Sequence, residues 1–440
     1  MFTKLFVLSM DAMVWEDVEY LRAKPNFSRL MAHCSGVEQV CTIYPSITYP
    51  AHVSIMTGCR PGKHGIVTNG AFKTTGGSTE WHYKGDGIQV EDLFAAAKRA
   101  GCSTAAVYWP VTGCNPNIDY LIDEYFFPDP QESVEAGYAK LGANEDALRI
   151  VRENMHRYPK DYRNRVGKLE KRHTFDDFIN GCVCSMIRAY QPDVLLAHNC
   201  ILDTLRHRHG LFNECVREGL DMTDEWLGEI IEAMEEAGVY EQTNFVILSD
   251  HGQMNFARRL KVNVMLERGG FIDLDSDGNV SDWRAFSQSN GMSATIFLKD
   301  PDNKVVWQQV YDYLLARCAE GVWGFDKIYT EKESRERYGM SGDFAFMLET
   351  DGCIAFGDDC HEPIVAPMDL SDYRLGKATH GYEPEKGPQP VFLAKGPAFR
   401  KDVMLPRGRV IDEAPTLAKI FGQTMPQAEG VCMDELLISE

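Results

Sequence analysis

The sequence predicts an α/β fold: a doubly wound, mostly parallel sheet with helices on both faces and an inserted smaller α+β lobe. Three observations predict it. Short, continuously apolar runs such as FVILS (245–249) alternate with longer amphipathic stretches, as strands buried on both faces do. Carboxylates follow several of those runs directly, where open α/β sheets hold ligands beyond the strand ends. Between 252 and 379 the texture changes to shorter strand-like pieces and Gly- and Asp-rich turns.

The expected strands cover 4–9, 37–42, 103–108, 193–198, 245–249 and 390–395, each a short apolar run. The expected helices cover 25–33, 50–57, 90–100, 176–190, 223–237 and 413–421. Pro25 and Pro50 suit a first helical turn, and the acidic run 229–238 reads as a solvated helix face. The inserted lobe shows strand-like SATIFLK (293–299), a helical stretch over 303–319 and strand-like FAFMLE (344–349). This predicts a core of residues 1–254 together with 379–440, and a lobe of 255–378 roofing the site. The loop-rich stretch 123–172 reads as a second, smaller excursion.

Composition limits the partners. Of 440 residues, 45 are Lys or Arg against 65 Asp or Glu, a net charge of −20, so a nucleic-acid polymer is not the expected partner. A phosphorylated small molecule stays open if local cations reverse the field. The apolar start, MFTKLFVLSM, is too short to span a membrane and carries no signal-peptide cleavage pattern, so no membrane is expected. Thirteen cysteines without a CxxC pair read as free thiols in a reducing, cytoplasmic setting.

The candidate chemistry lies after the strands. Asp11, Asp203 and Asp250–His251 all follow apolar runs, and three carboxylates at one sheet edge repel strongly unless a cation lies between them. Asp203 and His207 are i and i+4 on a helix and share a face, while His209 points elsewhere. Asp250 and His251 serve one site only if the chain turns, which Gly252 permits. His380 stands before a glycine in THGY. Thr48 lies just ahead of a helix N-terminus, where N–H groups and the dipole favour an anion. Beside a metal, its hydroxyl can attack phosphorus. Asn69 follows as a carboxamide donor.

Taken together, these residues resemble the nucleotide pyrophosphatase/phosphodiesterase (type I phosphodiesterase) branch of the alkaline phosphatase superfamily. The resemblance rests on Asp11, then PSITYPAH (45–52) and TGCRPGKHGIVTN (57–69). It continues through Tyr108-Trp109-Pro110, Asp203-xxx-His207-xx-Gly210, Ser249-Asp250-His251-Gly252 and His380-Gly381-Tyr382. It runs in order from Phe6 to Pro397. It implies two zinc ions, with Mn2+ or another divalent ion as the substitute. One would be held by Asp203, His207 and His380, the other by Asp11, Asp250, His251 and the Thr48 oxygen. Three carboxylates against two divalent ions leave the site locally cationic.

The resemblance further implies hydrolysis of phosphodiester or pyrophosphate bonds in a nucleotide-like substrate. Thr48 would form a phosphothreonyl intermediate, and Asn69 with a backbone N–H at the nucleophile turn would steady the non-bridging oxygens. His52 and His64 are expected to be structural. Trp81, Tyr83, Tyr108, Trp109, Trp283 and Tyr382 are candidates to stack on a base. Ile47 and Ala51 depart from the Lys and Asn often found in vertebrate-like members, on the substrate side. The alternatives on the same two-metal site are a phosphomonoesterase, which would want a cationic clamp beside Thr48, and phosphonoacetate hydrolase. The latter needs a cation for the substrate carboxylate, with Lys63, Arg206 and Arg208 as candidates.

Overall fold

The computed structural model describes residues 4–74, 80–129, 131–159, 174–370 and 376–438; residues 130 and 160–172 of the expected smaller excursion lie outside them. Its centre is an eight-stranded sheet of β1 (Lys4–Met10), β2 (Ser35–Val37), β3 (Thr104–Val107), β4 (Tyr120–Ile122), β5 (Val194–Asn199), β6 (Thr243–Leu248), β7 (Phe392–Lys395) and β8 (Met404–Leu405). The strand order is β8-β2-β7-β6-β1-β5-β3-β4. Only β7 runs antiparallel to its neighbours, β2 and β6. The other pairings are parallel.

The apolar strands are explained by two cores. Along β1, Phe6, Leu8 and Met10 enter one hydrophobic cluster, while Leu5 and Val7 enter the other. Along β6, Phe245 and Ile247 go to the first and Val246 and Leu248 to the second. Side chains alternate across a strand, so burial on both faces demands an unbroken apolar run. Helix Phe175–Tyr190 and the long helix Glu214–Glu236 fill the first face, and Leu93–Arg99 and Glu413–Ile420 fill the second.

Two expected elements differ. The stretch 37–42 splits into β2 and a separate strand Val40–Cys41, which pairs with Gly408–Arg409. Glu38 and Gln39 between them are exposed, so the apolar run was too short to specify one strand. The helix expected over 223–237 begins at Glu214, capped by the Asn213 side chain accepting from Val216 N–H. That Asn cap was readable, but Gly219 obscured the helix before Thr223.

Residues 258–357 carry a core of their own. A four-stranded antiparallel sheet has the order Ala285–Ser289, Ser293–Leu298, Phe346–Thr350, Phe325–Thr330, and helix Lys304–Ala319 packs on it. The chain enters and leaves this lobe through a neck in which Met254–Asn255 pairs antiparallel with Ala378–Thr379. Among the described residues, no helix is long and apolar enough to cross a membrane.

Just past the neck, Glu383 ties lobe to core. Its buried carboxylate accepts from Tyr329 Oη and Tyr338 Oη and pairs with Lys327, and its N–H donates to Glu349 at 3.0 Å. Burial alone would raise its pKa, but these three donors outweigh burial and hold it at about 2. A depressed carboxyl stabilises the fold above its unfolded pKa, and that contribution is lost as pH falls through the folded value. Glu383→Gln is therefore expected to cost on the order of 2 kcal/mol at pH 7. In urea unfolding of both proteins, the gap should hold down to about pH 4.5 and close toward pH 2.

Candidate active site

Because β1, β5 and β6 are adjacent and parallel, whatever follows them arrives at one edge. Asp11 follows β1 directly, its N–H donating to Asn199 C=O at 2.8 Å. Ala12 then takes φ 58°, a left-handed conformation that costs a non-glycine residue about 1–2 kcal/mol. The turn aims Ala12 N–H at Asp250 Oδ1, 3.2 Å away. Behind it, buried Arg206 donates to Ala12 C=O and, through Nη2, to both Asp17 oxygens at 2.6 and 2.7 Å. This cation fixes the loop that carries Asp11.

Asp203 and His207 come from helix Ile201–His209, which starts two residues after β5. One turn apart, they put His207 Nε2 3.2 Å from Asp203 Oδ1. His207 Nδ1–H donates to Ala378 C=O at 2.7 Å, which fixes the ring and turns Nε2 toward the aspartate. His380 reaches the same point from the neck, with Nε2 3.9 Å from Asp203 Oδ1. Gly381 beside it has φ 98°, and a Cβ there would lie 1.8 Å from Asn290 C=O, so only glycine fits. Gly381 N–H donates to Ser46 C=O at 2.9 Å, joining this segment to the turn before Thr48.

Asp250 and His251 follow β6 after Ser249. His251 Nε2 lies 3.2 Å from Asp250 Oδ2 and 3.6 Å from Asp11 Oδ1. Gly252 serves by close approach: its φ is not positive, but a Cβ would lie 2.2 Å from Pro388 C=O. Asp203, His207 and His380 form one group of mutually close donor atoms, and Asp11, Asp250 and His251 form another. Thr48 Oγ1 stands 3.2 Å from His251 Nε2.

Helix Thr48–Thr57 begins at Thr48 itself, so Pro50 is its third residue, where it still forfeits no helical bond. Asn69 Oδ1 accepts from Tyr49 N–H at 3.0 Å. That contact fixes the carboxamide, with Nδ2 as its remaining donor, and it engages the N–H that follows Thr48. Pro50 has none, and Ala51 N–H donates to Ile47 C=O. The backbone donor left at this turn is Thr48's own.

The electrostatics require a counter-charge. Burial, then Asp250, Asp203 and Glu124, raise Asp11 well above the carboxylate range. Burial and Asp203 push Asp250 up to about 8, although Ala12 N–H opposes the rise. Burial would raise Asp203 too, but His207, His380 and His251 hold it low. Burial keeps His251 and His380 neutral, the latter at about 4, so each has a lone pair to give. Among the described residues Asp11 Oδ1 and Asp250 Oδ2 have no hydrogen-bond partner. Buried carboxylate oxygens without donors, facing neutral imidazoles, fit divalent cations.

Other residues lie around the two ligand groups, His52 and His64 in the structural places expected of them. His52 is buried, bonded to Ser9 Oγ at 2.8 Å and Thr48 C=O at 2.9 Å; His64 is bonded to Ser54 Oγ at 3.0 Å. Burial holds both pKa values at about 3. His209 is exposed. His198, Glu124 and Gln253 were not anticipated. His198 Nε2 lies 3.3 Å from Asp11 Oδ2, and Gln253 Nε2 donates to Asp203 Oδ1 and C=O.

The site opens into a cavity of about 590 Å³ between the sheet edge and the lobe. Asp11, Thr48, Asn69, Asp203, His207 and His380 line it, as does Glu124. Of the aromatic candidates only Trp81 lines it, joined by Tyr49 and Phe126. Tyr108, Trp109 and Tyr382 are core residues, and Trp283 packs on Phe72. Lys63, Arg206 and Arg208 do not line it; among the described residues the lining Lys and Arg side chains are Lys73 and Arg259, paired with Glu80 and Asp369.

The family described as type I phosphodiesterase / nucleotide pyrophosphatase matches residues 5–383. Human ectonucleotide pyrophosphatase/phosphodiesterase family member 5 is 22% identical over 96% of this chain and 75% of its own length. Venom phosphodiesterase 2 of Crotalus adamanteus is 21% identical over 86% of this chain, which spans only 40% of that protein. Among solved structures, murine ectonucleotide pyrophosphatase/phosphodiesterase 5, as an inactive threonine-to-alanine form in complex with AMP, superposes with a TM-score of 0.69. It is 18% identical, covering 99% of this chain and 100% of that one. The human protein of the same name gives the same TM-score at 18% identity, again over 99% and 100%. At such identity these likenesses establish the fold.

Arg206→Met strands Asp17 as a buried charge and is expected to cost about 3–5 kcal/mol in urea unfolding. The double variant Arg206→Met/Asp17→Leu should recover most of that loss. A double variant no more stable than the single would mean that the cation holds the loop through Ala12 C=O instead.

Proposed function

The chain belongs to the type I phosphodiesterase / nucleotide pyrophosphatase family, and we propose that it hydrolyses phosphodiester or pyrophosphate bonds in nucleotide-type substrates through a phosphothreonyl intermediate on Thr48. The observation that carries this reading is the position of Thr48 Oγ1. It lies at a helix N-terminus, 3.2 Å from His251 Nε2, on the wall of the cavity that Asp203, His207 and His380 also line. Two divalent cations, zinc first among them, fit the two Asp/His groups, with Asp203, His207 and His380 at one and Asp11, Asp250, His251 and the Thr48 oxygen at the other. When bound, such ions supply Lewis acidity and charge neutralisation.

The protein's own groups do the rest. Thr48 presents its oxygen in line to phosphorus; the bond to the leaving oxygen breaks, and the electron pair departs with it. Water then cleaves the phosphothreonyl ester and restores the hydroxyl. Asn69 Nδ2, Thr48 N–H and the helix dipole steady the non-bridging oxygens. His207, oriented by Ala378 C=O, and Asp203, oriented by Gln253, keep their geometry throughout.

Diester preference follows from charge. A monoester brings one more negative charge than a diester and needs a free cation near the nucleophile. Ile47 and Tyr49 flank Thr48, and among the described residues the cavity's lining Lys73 and Arg259 are each paired with a carboxylate. The same pairing weighs against phosphonoacetate, whose carboxylate would need one of them. Trp81 and Phe126, half-buried and edge to face at 4.9 Å with Tyr49 behind Trp81, offer an aromatic wall for a base. The relative solved in complex with AMP supports a nucleotide-type substrate.

The zinc-loaded protein should turn over a nucleoside 5′-p-nitrophenyl phosphodiester with a kcat/KM at least tenfold above that for p-nitrophenyl phosphate. Thr48→Ala should abolish turnover, retain two metal ions by atomic emission and unfold at the native temperature. Monoester preference would refute the diesterase reading; persistent turnover in Thr48→Ala would remove Thr48 from the mechanism.

A further inference from the structure

Next to the two ligand groups lies a third set of mutually close donor atoms, from Asp11, His198 and Cys200. The sheet brings them together. His198 is the fifth residue of β5 and pairs in register with Ser9 of β1, two residues before Asp11. Cys200 stands at the N-terminus of helix Ile201–His209, its N–H donating to Asp176 Oδ1 at 2.6 Å. A helix N-terminus favours a thiolate over a thiol.

The two oxygens of Asp11 face different imidazoles. Oδ1 lies 3.6 Å from His251 Nε2, whereas Oδ2 lies 3.3 Å from His198 Nε2. Cys200 Sγ is 4.0 Å from that same nitrogen. Zinc bonds of about 2.0–2.1 Å to N or O and about 2.3 Å to S place tetrahedral ligand atoms roughly 3.3–3.6 Å apart. The Asp11–His198 pair already has that spacing, and Sγ reaches it by a small turn about χ1. Across the ring, Glu124 Oε1 lies 3.8 Å from His198 Nδ1. With its proton on that side, His198 turns the Nε2 lone pair to Asp11 Oδ2, and a cation between these two electron-rich atoms removes their repulsion. Asp11 and Cys200 both line the cavity, which gives the ion a path of entry.

We propose that Asp11 Oδ2, His198 Nε2 and Cys200 Sγ form a third cation site, which takes a borderline or soft divalent ion such as Zn2+ or Cd2+ in preference to Mg2+. The mixed oxygen, nitrogen and sulfur donors set that preference, since Mg2+ binds oxygen and rejects thiolate. On binding, the sulfur gives its electron pair to the ion and the thiol proton leaves to solvent. Because Asp11 is shared with the Asp250–His251 group, the third ion binds more weakly than the first two and fills after them. The site goes beyond the hydrolytic reading, and its readout is optical rather than catalytic.

The test is a titration of the protein already holding two zinc ions with Co2+, under a phosphine reductant. A thiolate ligand gives Co2+ a near-ultraviolet charge-transfer band that imidazole and carboxylate ligands do not, and neither of the other two groups contains a cysteine. The band should saturate at one added equivalent. It should be absent in Cys200→Ala, which should unfold at the native temperature, and should need at least tenfold more Co2+ in His198→Gln. Cys114→Ala, at an exposed cysteine outside the group, should keep it. Cd2+ should displace the band and a large excess of Mg2+ should not. No band in the native protein, or a band that survives Cys200→Ala, would overturn the site, and displacement by Mg2+ would overturn its selectivity. Loss of the two resident zinc ions on dialysis would instead count against the two-metal reading, because the band reports only the sulfur-bound ion.

Discussion

Three carboxylates, the buried Asp11 and Asp250 and the half-buried Asp203, converge at the carboxyl edge of one sheet, and their mutual repulsion is the constraint around which the rest of the structure is arranged. At the separations seen here, like charges in a protein interior cost several kcal/mol unless positive charge lies among them. Neighbouring protein cations do not resolve this. Arg206, the buried arginine close behind, is engaged by Asp17 and Ala12 C=O. The groups facing the carboxylates include His251 and His380, which burial keeps neutral, and a threonine hydroxyl, all of which bring lone pairs rather than charge. The arrangement is one that divalent cations complete.

Holding that arrangement depends on elements far apart in sequence. The strand order places β1, β5 and β6 side by side, so Asp11, the Asp203 helix and Asp250 need no long loops to meet. His380 comes instead from the neck of the lobe, and its neighbours are tied to the turn before Thr48 and, through Glu383, to lobe strands. The lobe that faces the substrate is thereby joined to a histidine beside the reacting centre.

Much of this was legible in the sequence because it obeys local rules. Apolar runs marked the strands, and polar residues after them marked Asp11 and Asp250–His251. Helical spacing joined Asp203 to His207. What escaped depends on long-range placement. His198 sits within an apolar strand, where position alone reads as core, and its approach to Asp11 comes from the β1–β5 register. Glu124 did carry a signal, since it lies two residues past the end of β4, but the three-residue strand was too short to stand out. Tyr108 and Trp109 looked like base-stacking candidates, yet the chain turns them into the core, Tyr108 at φ 60°. Phe126, unremarkable in sequence, lines the cavity in their place. Arg206 looked like a substrate cation and is a structural one, because its partner Asp17 lies 189 residues away in the chain.

The central claim is that phosphorus passes through Thr48 in two in-line displacements. Its most direct test is the stereochemical course at phosphorus, using a nucleoside phosphorothioate diester of known configuration hydrolysed in isotopically labelled water. Two displacements, each inverting, predict net retention. Net inversion would mean that water attacks phosphorus directly, and Thr48 would then be a ligand or a positioning group rather than the nucleophile.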